Sequence, residues 1–360
     1  MPSSTNNLTS PEVKAKLRPK LKGYIARNDE DDTVQFLETC YMFLPPDGQK
    51  NLYNDIWACQ SNDELHELAE MLDTGLIRPL LANANHTPEL GSSYSAEEDA
   101  IDLISSDYRK VLERLRKKCL QRDGNKCVIS GSYDQNSDPP DEALKGPLEA
   151  AHILPSVLGG PKDERKASSD ALANLYRYFP ALRFRLKFTL EDINREHNAI
   201  MMLFPLDREF KAFSLILEAT STPNRYRVKT FPHFATAYRG FLPADGLVTL
   251  TSQSKRCQPP SPILLAVHAA IGNILHASGR GKTIGTVMQE AREDWACMAG
   301  DGSTDVGELL SVTSLALLAS SDRARHHQNG RRRGKRRSSP PEAEAGRKKK
   351  GDILGGNDGI

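Results

Sequence analysis

Three side chains in the middle of the chain have types suited to hydrolytic chemistry: His152, Asn198 and Asp207. A neutral imidazole with a pKa near about 6.5 can accept a proton from water at cellular pH. A carboxylate is a good ligand for a hard cation such as Mg²⁺, and an amide can both donate and accept hydrogen bonds. This set is suited to metal-assisted hydrolysis, in which a base deprotonates water and a cation stabilises the developing charge.

Each of these residues also has a structural interpretation. Without its neighbours, His152 is better interpreted as a structural histidine at a strand end. Asn198 is also suited to capping a helix or turn, and Asp207 to a helix N-terminus, where the dipole favours its charge. For His197 a metal ligand, a phosphate contact and a surface residue are all open, and we expect the surface residue.

The segments around these residues predict how they are held. A β-type run at 126–131 and a second at 147–155 are expected to pair as a hairpin with His152 at its end. A later apolar run at 199–204 leads into a short helix. That helix is expected to contain Asp207, Phe210 and Phe213.

The strings KCVISG, EAAHILP and HNAIMMLFPLDREFKAF, in this order, resemble the HNH family of His-Me finger nucleases. The similarity is best to the version common in filamentous fungi and covers about 90 residues, from about Lys126 to Phe213. It continues more weakly through NRYRVKTF and LLAVHAAIGNILHASG. The resemblance implies an α+β fold, with a ββα-metal finger (hairpin plus helix) embedded in a mainly helical protein.

The resemblance also implies roles for the three residues. His152 matches the general base, and Asn198 matches the residue that bridges the two arms of the finger and orients the base. Asp207 stands where the last histidine of the motif is usual, and it is implied to bind the metal. The implied cofactor is a divalent cation, Mg²⁺ first and Mn²⁺ as the alternative, because a carboxylate shifts preference away from zinc and nickel.

A second departure from the family pattern is Ala151, where many members have an acidic residue or histidine as a further ligand. The fungal version commonly has a small residue there. The coordination sphere is then thin, consisting of Asp207, water, substrate phosphate and one of two further candidates, Glu149 and His197. Magnesium commonly keeps several waters, so such a site is chemically tolerable.

Apolar spacing predicts the elements outside this core. Helices are expected at 34–41 and 65–72, from Ser95 to close to Gln121, at 263–275 and at 306–319. Two strands are expected within 214–231, joined at Thr222-Pro223-Asn224. The expected organisation is a disordered 1–10, a helical module 11–82, a linker 83–94, a nuclease domain with its preceding helix 95–232, a helical subdomain 233–321 and a disordered basic tail 322–360.

The six cysteines, none in a CxxC pair, argue against a zinc site of the treble-clef type and against a disulfide framework, so we expect reduced, buried thiols. The chain has no apolar run of about 18 residues, so a membrane span is not expected. The first ten residues lack the order of a signal peptide, and the default expectation is an intracellular protein.

The charge of the chain is uneven. From Arg323 onward twelve Lys or Arg residues face four acidic ones, a net charge of +8, which leaves −7 for the rest of a chain whose total is +1. Two basic clusters, Arg331 to Arg337 and Arg347 to Lys350, suit a nuclear-import receptor or a nonspecific DNA arm. A solvated tail without a partner is the third interpretation, and a nuclear location is the expectation.

For the other basic residues of the core, an interpretation without a catalytic or binding role is preferred. Arg122 and Lys126 flank the first β-type run and are placed to meet phosphate, but surface cations usually do nothing specific. His268 and His276 lie on an apolar helix without an acidic partner at metal spacing, so core packing or capping is the better interpretation.

The leading functional hypothesis is a metal-dependent endonuclease that hydrolyses phosphodiester bonds, with DNA favoured over RNA. The second is a catalytically degenerate finger kept as a nucleic-acid-binding or scaffold protein, motivated by Asp207 and Ala151. The third is a protein-interaction protein built on the N-terminal helices.

Overall fold

The structure is a computed structural model that describes residues 10–81, 106–155, 165–254 and 256–280. The helix predicted at 306–319, both basic clusters, the predicted linker and the predicted helix start at Ser95 lie outside the described residues. No helix in the described ranges is long and apolar enough to cross a membrane.

Within these ranges the chain has a mixed α+β fold, as expected. The helices are α1 (Ser10–Leu21), α2 (Thr33–Phe43), α3 (Pro46–Ala58), α4 (Asn62–Leu72), α5 (Arg78–Leu81), α6 (Ser106–Asp123), α7 (Arg165–Tyr178), α8 (Phe204–Lys211) and α9 (Pro262–Ala277). The strands are β1 (Tyr133–Asp134), β2 (Lys145–Gly146), β3 (Leu148–His152), β4 (Ala199–Leu203), β5 (Leu215–Ala219), β6 (Arg225–Thr230) and β7 (Leu247–Thr249). Short turns include the π-helical Asp73–Ile77 and Leu182–Leu186 and the 3-10 turns Leu190–Asp192, Glu196–Asn198 and Thr236–Phe241.

The N-terminal helices include the two that the apolar pattern predicted. The predictions at 34–41 and 65–72 are confirmed as α2 and α4, and the hydroxyl of Ser61 caps α4 by accepting the backbone N–H of Glu64 at 3.2 Å. The prolines at 45 and 46 interrupt the first helix as expected. Pro46 also opens α3, a helix that was not predicted, because proline is tolerated in the first turn of a helix.

The predicted first strand at 126–131 is wrong. Only Lys126 forms a β-bridge, to Tyr133, and the following residues turn. The backbone N–H of Gly131 donates to the carbonyl of Cys127 at 3.0 Å, and Gly131 has a φ of 73°, which favours glycine. Local turn hydrogen bonds therefore override the β propensity of this short run.

The expected hairpin exists with a different partner. The strand that ends at His152 is β3, and it pairs antiparallel with β4, the apolar run that follows Asn198. Leu148 lies opposite Leu203 and His152 opposite Ala199. All five residues of β4 are buried, because α6 and α8 both pack against this strand pair. The helix α8 follows β4 directly and packs mainly on β3, so two strands and a helix surround His152.

A second sheet follows β3, β4 and α8 along the chain. The predicted pair of strands is confirmed as β5 and β6, with Asn224 at the turn in a left-handed conformation (φ 58°), and β7 adds a third strand. The apolar helix predicted at 263–275 is confirmed as α9, which packs on β5. Gly272 permits this approach, since a Cβ there would lie 2.6 Å from the Cγ2 of Ile216.

The described residues belong to one compact unit with a continuous hydrophobic core that extends from Val13 to Leu275. Arg280, just after α9, reaches back to the N-terminal helices and pairs with Asp32 at 2.6 Å and with Asp73 at 2.9 Å. Its guanidinium also lies 3.7 Å from the centroid of the Phe36 ring. The N-terminal helices thus pack against α9 and the residues that follow it.

Candidate active site

His152 is held at the end of β3 with one ring nitrogen occupied and the other without a partner. The side chain is buried, with 6% of the residue exposed. Its Nε2 lies 3.0 Å from Oδ1 of Asn194. An amide oxygen only accepts, so Nε2 carries the hydrogen and Nδ1 keeps its lone pair. That Nδ1 is buried and has no hydrogen-bond partner in the described part of the chain.

The environment keeps this imidazole neutral. Burial lowers the pKa of His152 to about 4, the nearby Lys211 ammonium lowers it further, and the bond to Asn194 opposes them. His152 is therefore in its free-base form at neutral pH. Its low pKa makes it a weaker base than an unperturbed histidine.

Asn198 is fully buried and ties two segments together. Its Oδ1 accepts the backbone N–H of Leu154 at 2.9 Å, and its Nδ2 donates to the carbonyls of Leu154 and Ile193, both at 2.9 Å. Leu154 lies two residues after His152, and Ile193 precedes Asn194. The amide thereby fixes both the chain that carries the imidazole and the turn that supplies its hydrogen-bond acceptor.

Asp207 lies in the first turn of α8 and is fully buried. Its Oδ2 accepts a hydrogen bond from the ammonium of Lys211, one helical turn later, at 2.5 Å. Its Oδ1 is buried and has no hydrogen-bond partner among the described residues. Burial raises the pKa of the Asp207 carboxyl above its ordinary value, and the Lys211 charge acts in the opposite direction.

Lys211 connects Asp207 and His152, because it pairs with Asp207 and its charge also lowers the pKa of His152. The sequence carried a signal for this residue, since charges of opposite sign four residues apart on a helix are neighbours. Asn194 carried no such signal. It lies 42 residues from His152 along the chain, and only the tertiary fold brings the two together.

Of the candidate residues described above, only the carboxylate of Asp207 offers an oxygen suited to bind a divalent cation. Among the residues that the structure describes, no group of three or more His, Cys, Asp or Glu side chains is placed to hold a metal ion. The unpartnered Oδ1 of Asp207 is the atom suited to one, with water and substrate oxygens completing the coordination. The ammonium on Oδ2 competes for the same negative charge.

Of two other basic residues singled out from the sequence, Arg122 has a structural role and Lys126 is exposed. Arg122 is fully buried; it pairs with Asp123 and donates to the carbonyls of Glu196 and Ala199. It anchors α6 to the start of β4 and is not a surface phosphate contact. Lys126 lies with its ammonium 4.6 Å from the centroid of the Tyr133 ring.

The remaining histidines of the core pack against aromatic rings, and the Nδ1 atoms of His197 and His268 also have no hydrogen-bond partner among the described residues. His197 is buried rather than on the surface, and its ring meets Phe188 edge-on, with centroids 6.4 Å apart. His268 stacks on Phe210 at 3.8 Å and donates from Nε2 to the carbonyl of Phe210. His276 likewise donates to the carbonyl of Phe213. The five described cysteines are free and buried, as expected.

Comparison with protein families places this site in context. Residues 127–218 match the family model described as HNH endonuclease. This stretch contains the turn at 127–131, β3, β4 and α8, with His152, Asn198 and Asp207. No curated protein and no solved structure matches the chain in the corresponding comparisons.

Proposed function

We propose that the chain is an endonuclease that hydrolyses phosphodiester bonds in DNA, because residues 127–218 match the family model described as HNH endonuclease. The observation that carries the proposal is the unprotonated, unpartnered Nδ1 of His152. The His152 ring is held by its hydrogen bond to Asn194. The same proposed finger contains Asp207, a buried carboxylate whose Oδ1 has no hydrogen-bond partner among the described residues. A buried polar atom without a partner is costly to maintain, so a ligand or reacting atom at that place is a physical reason for it.

In this proposal His152 takes a proton from water. The O–H bond of the water breaks, its proton moves to Nδ1, and the water oxygen forms a bond to phosphorus as the ester oxygen leaves with its electron pair. The imidazolium keeps its Nε2–H on Oδ1 of Asn194, so the ring does not turn as it gains charge. Asn198 holds the backbone on both sides of this pair.

Asp207 is the residue proposed to hold a divalent cation, Mg²⁺ or Mn²⁺, through Oδ1 within the ββα-metal finger. Bound there, the cation would stabilise the charge on the scissile phosphate and on the leaving oxygen. Nuclear location, with an import receptor that recognises the basic clusters, stays a prediction.

A second candidate function is a nucleic-acid-binding or scaffold protein that has lost catalysis. It is favoured by the ammonium of Lys211, which already neutralises Asp207, and by the low pKa of His152. Both features weaken a hydrolytic site while leaving the fold intact.

A plasmid-nicking assay separates the two functions. Supercoiled DNA is incubated with Mg²⁺ or Mn²⁺ and with the wild type, His152→Ala or His233→Ala, the last being an exposed histidine outside the finger. The nuclease proposal predicts nicking by the wild type and His233→Ala and a loss of about 100-fold or more in His152→Ala. Absence of nicking with either metal, together with retained salt-dependent DNA binding, supports the second function.

A further inference from the structure

An exposed aromatic ring surrounded by cations lies on the insertion between the two strands of the finger. The π-helical turn Leu182–Leu186 and the residue after it present Arg183, Phe184, Arg185 and Lys187 to solvent. We call these four residues the 183–187 patch. Phe184 is 73% exposed, which is unusual for a phenylalanine, since exposing its ring forgoes a large burial gain.

Within the described residues, the three cations of the patch (Arg183, Arg185 and Lys187) form no ion pair with an acidic side chain, and no acidic residue occurs between 182 and 190. The guanidinium carbon of Arg183 lies 5.8 Å from the Phe184 ring centroid and 6.0 Å from that of Tyr176. Three positive charges and a solvent-facing ring are therefore available to a ligand.

Buried residues anchor the patch at both of its ends. Leu182 is fully buried and Phe188 nearly so, one at each end of the exposed stretch. The hydroxyl of Tyr176, on α7, donates to the carbonyl of Phe188. A ring presented on such a support loses little conformational entropy when a ligand stacks on it.

The patch also lies close to the candidate active site along the chain. Phe188 packs on His197, the neighbour of Asn198. Asn194, which bonds His152, follows Lys187 by seven residues. Seven residues span at most about 25 Å, and even fully stacked nucleotides at about 3.4 Å each cover that distance in about seven units, so one bound strand can reach both places.

We propose that the 183–187 patch binds a single-stranded stretch of nucleic acid, with an unpaired base stacked on Phe184 and phosphates paired with the three cations. Phosphates are the partners that unpaired Arg and Lys side chains favour, and an exposed ring gains from stacking only on a base that is not already stacked in a duplex. An acidic peptide would use the cations but leave the ring without a role. The inference rests on the proposed function only in taking nucleic acid as the ligand class.

The test measures binding of the full-length protein, in EDTA so that no cleavage occurs, to a fluorescent oligothymidylate of about 20 nucleotides and to a duplex of equal length. Phe184→Ala is expected to weaken single-strand binding by about five- to 100-fold and duplex binding by much less, while Phe184→Tyr restores it. Ile25→Ala, which removes another exposed apolar side chain (74% exposed), is the control and should bind as the wild type does.

A second variant tests the cations separately. Arg183→Gln/Arg185→Gln is expected to lower the slope of log K against log salt for the single strand by about 1.4, since each phosphate contact contributes about 0.7. Arg18→Gln/Arg239→Gln, which changes two exposed arginines on other elements, should leave the slope unchanged. The charge of the C-terminal tail is common to all variants, so the differences between them report on the patch.

Single-strand binding by Phe184→Ala within twofold of the wild type, or equal weakening on single strand and duplex, overturns the proposal. These outcomes are independent of catalysis. If the protein nicks DNA but Phe184→Ala binds single strands normally, the nuclease proposal stands and the single-strand-binding proposal is rejected. If Phe184→Ala weakens single-strand binding but the wild type does not nick DNA, the single-strand-binding proposal stands and the nuclease proposal is rejected.

Discussion

At the scale of single residues, the site is defined by two buried atoms without partners and by the neighbours that hold them. Nδ1 of His152 and Oδ1 of Asp207 both lack a hydrogen-bond partner among the described residues. The other polar atom of each side chain is hydrogen-bonded: Nε2 of His152 to Asn194, and Oδ2 of Asp207 to Lys211. The resemblance to the family motif identified His152, Asn198 and Asp207. It did not identify Asn194, which reaches His152 only through the tertiary fold.

Asn194 is predicted to be a positioning residue for His152. Asn194→Ala removes the acceptor of Nε2–H and is expected to lower nicking activity by about 10- to 100-fold. Asn194→Asp keeps an acceptor and adds a negative charge, so it raises the pKa of His152 and moves the acidic limb of the pH–rate profile to higher pH. An unchanged limb in Asn194→Asp would falsify this role.

Lys211 is predicted to compete with a divalent cation for Asp207, because its ammonium already occupies Oδ2. Lys211→Met is expected to bind Mn²⁺ at least about 10-fold more tightly than the wild type, while Lys211→Arg keeps the charge and changes little. Titration calorimetry or the electron paramagnetic resonance of free Mn²⁺ measures this without any nuclease assay. Equal Mn²⁺ affinity in Lys211→Met and Lys211→Arg contradicts the competition.

At the scale of elements, local signals were predictable and long-range pairings were not. Apolar spacing predicted α2, α4 and α9, and the turn before Asn224 predicted the β5–β6 pair. The run at 126–131 was predicted to be a strand because its residues favour β structure, but in the structure it forms a turn closed by the hydrogen bond from Gly131 to Cys127. The true partner of β3 is β4, whose nearest paired residue, Ala199, lies 47 positions after His152, and no local pattern encodes that pairing.

The helix α9 supports α8 through His268, whose ring stacks on Phe210 and Phe213 and donates to the carbonyl of Phe210. His268→Ala is expected to lower the free energy of unfolding by about 3 kcal/mol or more, because it leaves a cavity under α8. His268→Phe keeps a ring in place and loses one hydrogen bond, so about 1 kcal/mol is expected. Urea unfolding measures both, and a change below about 0.5 kcal/mol in His268→Ala counts against this support.

At the scale of the whole molecule, the core of the described residues joins the N-terminal helices, the β3–β4 pair, α8 and α9, so the stability of the site depends on all of them. Its buried histidines make this stability depend on pH. Burial lowers the pKa of His152 to about 4 and of His268 to about 3, and also lowers those of His197 and His276.

Because these folded-state pKa values lie below the unfolded value of about 6.5, the unfolded chain binds more protons in this window. The contribution of His152 and His268 to stability is therefore fully present above about pH 6.5 and falls as the pH drops toward 4, by up to about 1.4 kcal/mol per pH unit for each of these two residues. The raised pKa of Asp207 opposes this for one group. His268→Phe should reduce the slope between pH 6 and 5 by up to about 1.4 kcal/mol per pH unit in urea unfolding; equal wild-type stability at pH 7 and pH 5 would contradict this account.

The most direct measurement of the central claim is the nicking of supercoiled DNA by purified wild type and His152→Ala in the presence of Mg²⁺ or Mn²⁺. The proton-accepting role of His152 predicts that the wild type converts the plasmid to the open-circular form and that His152→Ala is slower by about 100-fold or more. Equal rates in the two proteins would contradict the assignment of His152 as the base.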